Sequence, residues 1–415
     1  MREPPANPLL EALRQAIGFE PIGDPVGNAT VGRGNFRGSA VHAALIESRT
    51  ASGSIGNAEA TRLGALLRIV TRERTPLVLF IDSAGAKVSE GLKALGAFRH
   101  LYREGLAAAL GGAPIAAVLG RNCYGGASML AHLAGTRLFG ATTQLAMSGP
   151  SIVAASAGMN VLDEAFRAMA EASMSATSRC KASAANRVWE PGADLGDWLA
   201  EALSMREAAI DRYRRSHEEQ GARLARAPGS EPGEAVRRRD TDKLYPGGCE
   251  LRESAGLIEG AGRSENGEER VLGLVGKAPL GTERAWRFAR AGWALIDAPP
   301  ARLRVLLDCA THAARLEDER AVLSEFVVAM SVPLAVLAAR GTRVELTIVG
   351  EAGGGVYVAL AGPATHVSAV HGARIRALPG AALTAILGEA PEDKASAAEY
   401  QAAGVAEEEL KLGLY

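Results

Sequence analysis

The chain of 415 residues has little of what cross-links, stains or anchors a protein. It has 4 cysteines, at positions 123, 180, 249 and 309, and none forms a Cys-x-x-Cys pair. That excludes a zinc ribbon and argues against a disulfide framework. Aromatic residues make up only 5%. Neither sign of charge dominates: 46 basic residues stand against 47 acidic ones, for a net charge of −1. Nothing in that balance calls for nucleic acid or an anionic membrane as partner. Long hydrophobic runs are missing too. The apolar stretches over 106–120 and 326–339 contain Pro114 and Pro333, and both fall short of the about 18 residues of a spanning helix. Met1-Arg2-Glu3-Pro4-Pro5 lacks the apolar core of a secretory leader. The expectation is a soluble, cytoplasmic protein.

What the chain does have is glycine. There are 48 glycines in 415 residues, roughly 12% where about 7% is ordinary. Glycine allows close backbone approach and left-handed turns, so chemistry is sought at the glycines. Hydrophobic residues make up 47% and charged residues 22%, enough to fill large cores. At about 150 residues per domain, two or three domains are expected.

Asn7 and Pro8 open a short amphipathic helix, as N-cap and first helical residue. Leu9, Leu13 and Ile17 share its buried face and Gly18 ends it. Residues 217–249 are polar, turn-rich and charged, and include Arg237-Arg238-Arg239-Asp240. They are read as a linker between an N-terminal domain, 1–216, and a C-terminal domain, 250–415. The two flanks repeat one pattern. In the first, Gly56 precedes a helical run, then a buried strand over 77–81 leads to Asp82 and the small-residue turn Ser83-Ala84-Gly85-Ala86-Lys87. A second strand over 115–119 leads to Cys123-Tyr124-Gly125-Gly126. In the second, Gly281 precedes a helix, a strand over 303–307 leads to Asp308, and a strand over 344–349 leads to Gly353-Gly354-Gly355. Gly56 to Asp82 is 26 residues and Gly281 to Asp308 is 27; Asp82 to Gly126 is 44 and Asp308 to Gly354 is 46. Apolar strands alternating with helices imply βαβ units, hence two similar α/β domains in tandem.

A small-residue turn between strand and helix aims unpaired N–H groups at a ligand. Neither a Gly-x-Gly-x-x-Gly fingerprint nor a Walker loop stands at such a junction here. Two turns whose amides converge make an oxyanion hole instead. The residues without bulk at these turns are Ala84, Gly85, Gly125 and Gly126, with Gly354 and Gly355 as their counterparts. Their expected chemistry is stabilisation of a thioester enolate.

These residues resemble a family. Asp82-Ser83-Ala84-Gly85-Ala86-Lys87-Val88-x-Glu90, Cys123-Tyr124-Gly125-Gly126 and Leu145-Ala146-Met147-Ser148-Gly149-Pro150 are similar to motifs of crotonase-superfamily carboxyltransferases, especially the β subunit of biotin-independent malonate decarboxylase. Gly353-Gly354-Gly355-Val356-Tyr357-Val358-Ala359 resembles the corresponding γ-subunit motif. Ala84 stands in place of a glycine, Lys87 of an arginine and Gly353 of an aromatic residue. The resemblance covers about 40–215 and 255–390. It implies two tandem crotonase-like ββα-superhelix domains, joined as a natural β–γ fusion. The implied reaction is decarboxylation of a malonyl thioester, carried on an acyl carrier protein or coenzyme A, to an acetyl thioester. No tightly bound cofactor is implied; phosphopantetheine or coenzyme A is part of the substrate. Oligomerisation, in particular self-association, is expected of carboxyltransferase domains.

The substrate is expected to touch Ser83, Ala86, Lys87, Tyr124, Gly149, Tyr357 and His312, the last being the best histidine for general acid work. Glu90 and Glu317 are read as orienting loops and Cys123 as a packing residue, since no basic partner stands at a suitable spacing. His366 and His371 would need a third partner to hold a metal. Two other functions stay open: a biotin-dependent acyl-CoA carboxyltransferase subunit, and a non-catalytic scaffold that binds an acyl carrier.

Overall fold

A computed structural model describes residues 7–159, 163–204, 207–225, 242–378 and 395–411. Met1-Arg2-Glu3-Pro4-Pro5 and the middle of the expected linker, 226–241, lie outside the described residues. The first helix, Pro8–Ile17, forms as its sequence predicts. Asn7 Oδ1 accepts the N–H groups of Leu9 and Leu10, Gly18 closes the helix at φ 54°, and Leu9, Leu10, Leu13 and Ile17 are buried.

The chain divides into two compact units, and neither is a contiguous half. The first comprises Met1–Glu90, His100–Arg212 and Ala314–Glu325; the second comprises Gly91–Arg99, Tyr213–Ala313 and Phe326–Tyr415. The helix Ala209–Leu224 runs through the start of the segment read as a linker, because Tyr213, His217 and Gln220 on it are buried.

The first unit is built on β1 (Glu20–Pro21), β2 (Ala29–Phe36), β3 (Ser39–Ile46), β4 (Leu77–Ser83), β5 (Ile115–Tyr124), β6 (Thr136–Phe139), β7 (Gln144–Ala146) and β8 (Asn186–Val188). Their order is β1-β2-β3-β4-β5-β6-β8, with β7 paired to the end of β5. β1 to β3 are antiparallel, and the remaining pairs are parallel. Val78, Phe80 and Val118 on the central strands pack with Leu9, Leu13 and Ile17 of the first helix and Leu199 of the helix Gly196–Leu203. Each such side chain, fully buried, contributes about 1.5–3 kcal/mol.

The second unit repeats this plan strand for strand. β9 (Cys249–Ser254), β10 (Leu257–Ser264), β11 (Gly267–Lys277), β12 (Arg302–Cys309), β13 (Arg343–Gly353), β14 (His366–Val370), β15 (Arg374–Arg376) and β16 (Glu408–Leu410) take the order β16-β14-β13-β12-β11-β10-β9, with β15 on the end of β13. β9 to β11 are antiparallel and the rest parallel. The α/β reading, with two parallel-rich sheets in tandem, holds.

The repetition extends to an irregularity. β4 and β5 pair regularly to Ile81↔Leu119, after which Ser83 pairs with Cys123. β12 and β13 pair to Leu307↔Ile348, after which Cys309 pairs with Ala352. In both, an advance of 2 residues on one strand matches 4 on the other. Such a bulge leaves a backbone N–H outside the ladder. In each unit an aspartate takes it: Asp82 Oδ1 accepts Asn122 N–H at 3.0 Å, and Asp308 Oδ1 accepts Glu351 N–H at 2.8 Å. Gly120 and Gly350 make room for these carboxylates. A Cβ at Gly120 would stand 2.5 Å from Asp82 Cβ, and one at Gly350 would fall on the Asp308 carboxylate. Burial raises the Asp82 carboxyl against the pull of the backbone N–H groups at Asn122 and Arg121. The bulge bends the end of β5 and of β13 directly before a glycine turn, and so positions that turn.

Among the described residues, no helix is long and apolar enough to cross a membrane. The cysteines at 123, 180, 249 and 309 are all free thiols.

Candidate functional site

The two turns of the first unit meet. A Cβ added to Gly85, whose φ of +99° suits glycine alone, would lie 2.8 Å from Tyr124 O and 3.3 Å from Gly126 N. A Cβ on Gly125 would lie 3.8 Å from both Ala84 O and Gly85 Cα. The helix Gly126–Leu133 starts at this junction, and Gly125 precedes it at φ 55°. The small residues thus allow two loops to touch by their backbones.

Which amides are open is decided by what they donate to. Ala84 is exposed, but its N–H donates to Ser52 O at 2.9 Å. Gly85 N–H donates to the buried Ser83 Oγ at 3.1 Å. Gly125 N–H donates to Ala146 O at 3.2 Å. Three of the four amides expected from the sequence to line the hole are therefore taken up by the protein. Among the described residues, no protein acceptor takes the N–H of Ala86 or of Gly126. Ala86 is held by a bridge to Ile55, in which Ile55 N–H donates to Gly85 O at 2.8 Å and Lys87 N–H to Ile55 O at 2.9 Å. That bridge leaves the Ala86 amide on the other side of the strand. Both residues are half-buried. The pair with donors to offer is Ala86 and Gly126.

Around this pair stand Tyr124, Gly149 and Lys87. The half-buried Tyr124 donates its hydroxyl to Gln144 Oε1, and burial pushes the phenol well up. A Cβ on Gly149 would meet the Tyr124 ring at 3.5 Å. Lys87 pairs with Glu90 at 3.0 Å. Glu90 also accepts Asn57 N–H at 2.8 Å, at the start of the helix Asn57–Glu73. It orients a loop, as its position predicts. Glu317 pairs with Arg315 at 3.5 Å and is 70% exposed. Cys123 is fully buried and burial pushes its thiol well up, which suits packing and no nucleophile.

Glu319, which the sequence does not single out, holds backbone of this site. It lies on the short helix Leu316–Arg320 and is completely buried in the first unit. Its carboxylate accepts Met147 N–H at 3.0 Å and Ser148 N–H at 2.6 Å. The buried Arg179 donates to Leu145 O and to Glu319 O, both at 2.8 Å. Burial lifts the Glu319 carboxyl to about 7, against the pull of Arg179 and the two backbone N–H groups.

The second unit brings its own turn together differently. Gly354 has φ +52°, close to the 55° of Gly125. A Cβ there would lie 3.8 Å from His312 Nδ1. Gly353, Gly354 and Gly355 are all buried, where Gly125 and Gly126 are half-open. Ala310 O and Arg376 O close on Gly353, at 2.5 and 2.9 Å from an added Cβ. Tyr357 is completely buried and donates its hydroxyl to Val405 O at 2.6 Å. It is a core residue with a satisfied hydroxyl, and the expectation that it lines a substrate surface is corrected. Burial lowers His312 to about 4, so at neutral pH it is no imidazolium and has no acidic proton of that kind to give. His366 pairs with Glu408 at 3.2 Å and His371 with Glu409 at 2.9 Å. Among the described residues, no three His, Cys, Asp or Glu side chains are arranged to hold a metal ion.

Residues 8–178 match the family model of the carboxyl transferase domain. The methylmalonyl-CoA carboxyltransferase 12S subunit of Propionibacterium freudenreichii is 27% identical over 137 residues, 33% of this chain and 26% of that protein. The acetyl-coenzyme A carboxylase carboxyl transferase subunit beta of Synechococcus is 28% identical over 142 residues, 33% of this chain and 44% of that protein. The similarity thus spans less than half the length of either relative. Among solved structures, a Pseudomonas malonate decarboxylase hetero-tetramer in complex with malonate is 18% identical with a TM-score of 0.44, covering 53% of this chain and 91% of that one. Residues 8–178, the stretch that holds both glycine turns of the first unit, are thus similar to a carboxyl transferase domain.

Proposed function

We propose that the amides of Ala86 and Gly126 hold the carbonyl oxygen of an acyl thioester while a carboxyl group leaves its α-carbon. The observation that carries this reading is the pair of unpaired N–H groups on two touching, half-open turns. With a malonyl thioester, the bond between the α-carbon and the carboxylate breaks. CO2 departs, and the electron pair delocalises through the α-carbon onto the carbonyl oxygen. Charge grows on that oxygen only as the reaction proceeds, so fixed donors aimed at it favour the transition state over the ground state. Each such donor contributes about 2.7–4 kcal/mol. A proton then joins the α-carbon and gives the acetyl thioester. No tightly bound cofactor takes part; the phosphopantetheine arm, on an acyl carrier protein or coenzyme A, belongs to the substrate. Tyr124 and Gly149 stand beside the pair as the acyl wall, and Lys87, next to Ala86 in the chain, offers a cation for a carboxylate or phosphate. The functional assembly is a homo-oligomer.

A second reading is carboxyl transfer to or from biotin carried on another protein. The names of the two curated relatives favour it, since both are carboxyl transferases of coenzyme A thioesters. The two readings share the enolate and differ in where the carboxyl group goes. Gly126→Pro tests the shared step. Proline is tolerated at the first position of a helix and has no N–H. Acetyl-CoA formation from malonyl-CoA, followed by mass spectrometry, is expected to fall about 10²–10³-fold with the melting temperature retained. Undiminished turnover overturns the assignment. Activity that appears only with a biotinylated partner, and is abolished by avidin, selects the second reading.

A further inference from the structure

Gly126 is set by Gly125, and Gly125 is held at both ends. Its N–H donates to Ala146 O at 3.2 Å, and its C=O accepts Ser128 Oγ at 2.6 Å. Ala146 ends β7, whose pairing with β5 stops at Tyr124↔Ala146. The next two residues, Met147 and Ser148, direct their N–H groups to one buried carboxylate, that of Glu319, at 3.0 and 2.6 Å. We infer that Glu319 is a positioning residue for the Gly126 amide, acting through the segment Ala146-Met147-Ser148 that fixes Gly125. The inference rests on the function proposed above and assigns a residue outside the matched domain to the same site.

The chemistry of the group suits this role. An ionised carboxylate has only acceptors, so both oxygens serve an N–H. Protonation turns one oxygen into a donor, which then faces a second donor, and one of the two bonds is lost. Burial places this change near neutral pH, at about 7. The charged and titratable groups around it are few. Arg179 faces it from the helix Ala176–Ala182. Asp318 precedes it and is paired with Arg315 at 2.7 Å. Arg320 follows it and donates to Ser173 Oγ at 3.2 Å. Tyr124 feels its charge and also that of Glu171 on the helix Glu164–Met174. None of these replaces the two acceptors.

The test is Glu319→Gln in the full chain, with Glu319→Asp beside it, read by turnover of malonyl-CoA against pH and by amide hydrogen exchange at Met147 and Ser148. The wild type is expected to lose kcat as pH falls through about 7. Glu319→Gln is expected to lose that limb, to run about 10-fold slower at pH 8 with KM unchanged, and to exchange both amides faster. Glu319→Asp is expected to keep the limb at a lower kcat, since it keeps the charge. Wild-type kcat and pH profile in Glu319→Gln, or unchanged exchange, overturns the inference. Should the wild type turn over no thioester, the proposed function fails, and exchange alone then decides whether Glu319 holds the segment.

Discussion

Among the described residues, Ala86 and Gly126 differ from Ala84, Gly85 and Gly125 in one respect: their N–H groups have no protein acceptor. Glycine content pointed to the turns but could not rank the amides within them. The rank depends on Ser52 and Ala146, which supply acceptors to Ala84 and Gly125 from elsewhere in the sequence, and on the Ser83 hydroxyl, which takes the Gly85 N–H from two residues before it. Two results are expected at single residues. Ser83→Ala removes the acceptor of a buried N–H, and should cost about 1–3 kcal/mol in chemical denaturation. Glu319 should mark the pH dependence of stability. Its folded carboxyl is raised from 4.5 to about 7, so the folded state binds a proton more tightly than the unfolded chain. The stability this contributes is full below 4.5 and is lost as pH rises to about 7. Unfolding free energy of the wild type relative to Glu319→Gln should therefore fall across that window and level off above it. A flat difference would show that Glu319 titrates as it does in the unfolded chain. The ionised form needed to hold the segment is thus the less stable one.

Strand ends carry the aspartate–glycine device twice, with Asp82 over Gly120 and Asp308 over Gly350. Gly120→Ala and Gly350→Ala should each lower stability by about 1–3 kcal/mol, because the added methyl displaces a carboxylate that holds a bulge. Thermal melts followed by circular dichroism measure this, and an unchanged melting temperature would mean the bulge relaxes freely. Much at this scale was legible in the sequence. The Asn7 cap, the buried strands before Asp82 and Asp308 and the near-equal spacings gave the elements and their repetition, because buried parallel strands read as unbroken apolar runs. The bulge was not legible, since extra residues in a strand leave no periodic signal. Neither was the contrast between the half-open turn at Gly126 and the buried one at Gly355. Their local sequences are alike, and in the second Ala310 O and Arg376 O close on Gly353. The same kind of distance hid Glu319, whose partner Met147 is 172 residues away. It also hid the bond of Tyr357 to Val405, 48 residues on.

Across the whole molecule, the units do not follow the chain's contiguous halves. The first unit draws Ala314–Glu325, and with it Glu319, from beyond residue 313; the second draws Gly91–Arg99 from before residue 100. In the second unit the buried Arg99 donates to Ala361 O and Gly404 O at 3.1 Å each, and pairs with Glu407 at 2.9 Å. A gene cut within 226–241 would therefore give two polypeptides that each lack a piece of themselves. Expressed singly, 1–225 should be protease-sensitive, with Met147 and Ser148 deprived of their acceptor, and 242–415 should lack the guanidinium that three acceptors await. Co-expression should restore resistance and turnover together, as in enzyme complementation, and a fragment stable by itself would refute the exchange of segments.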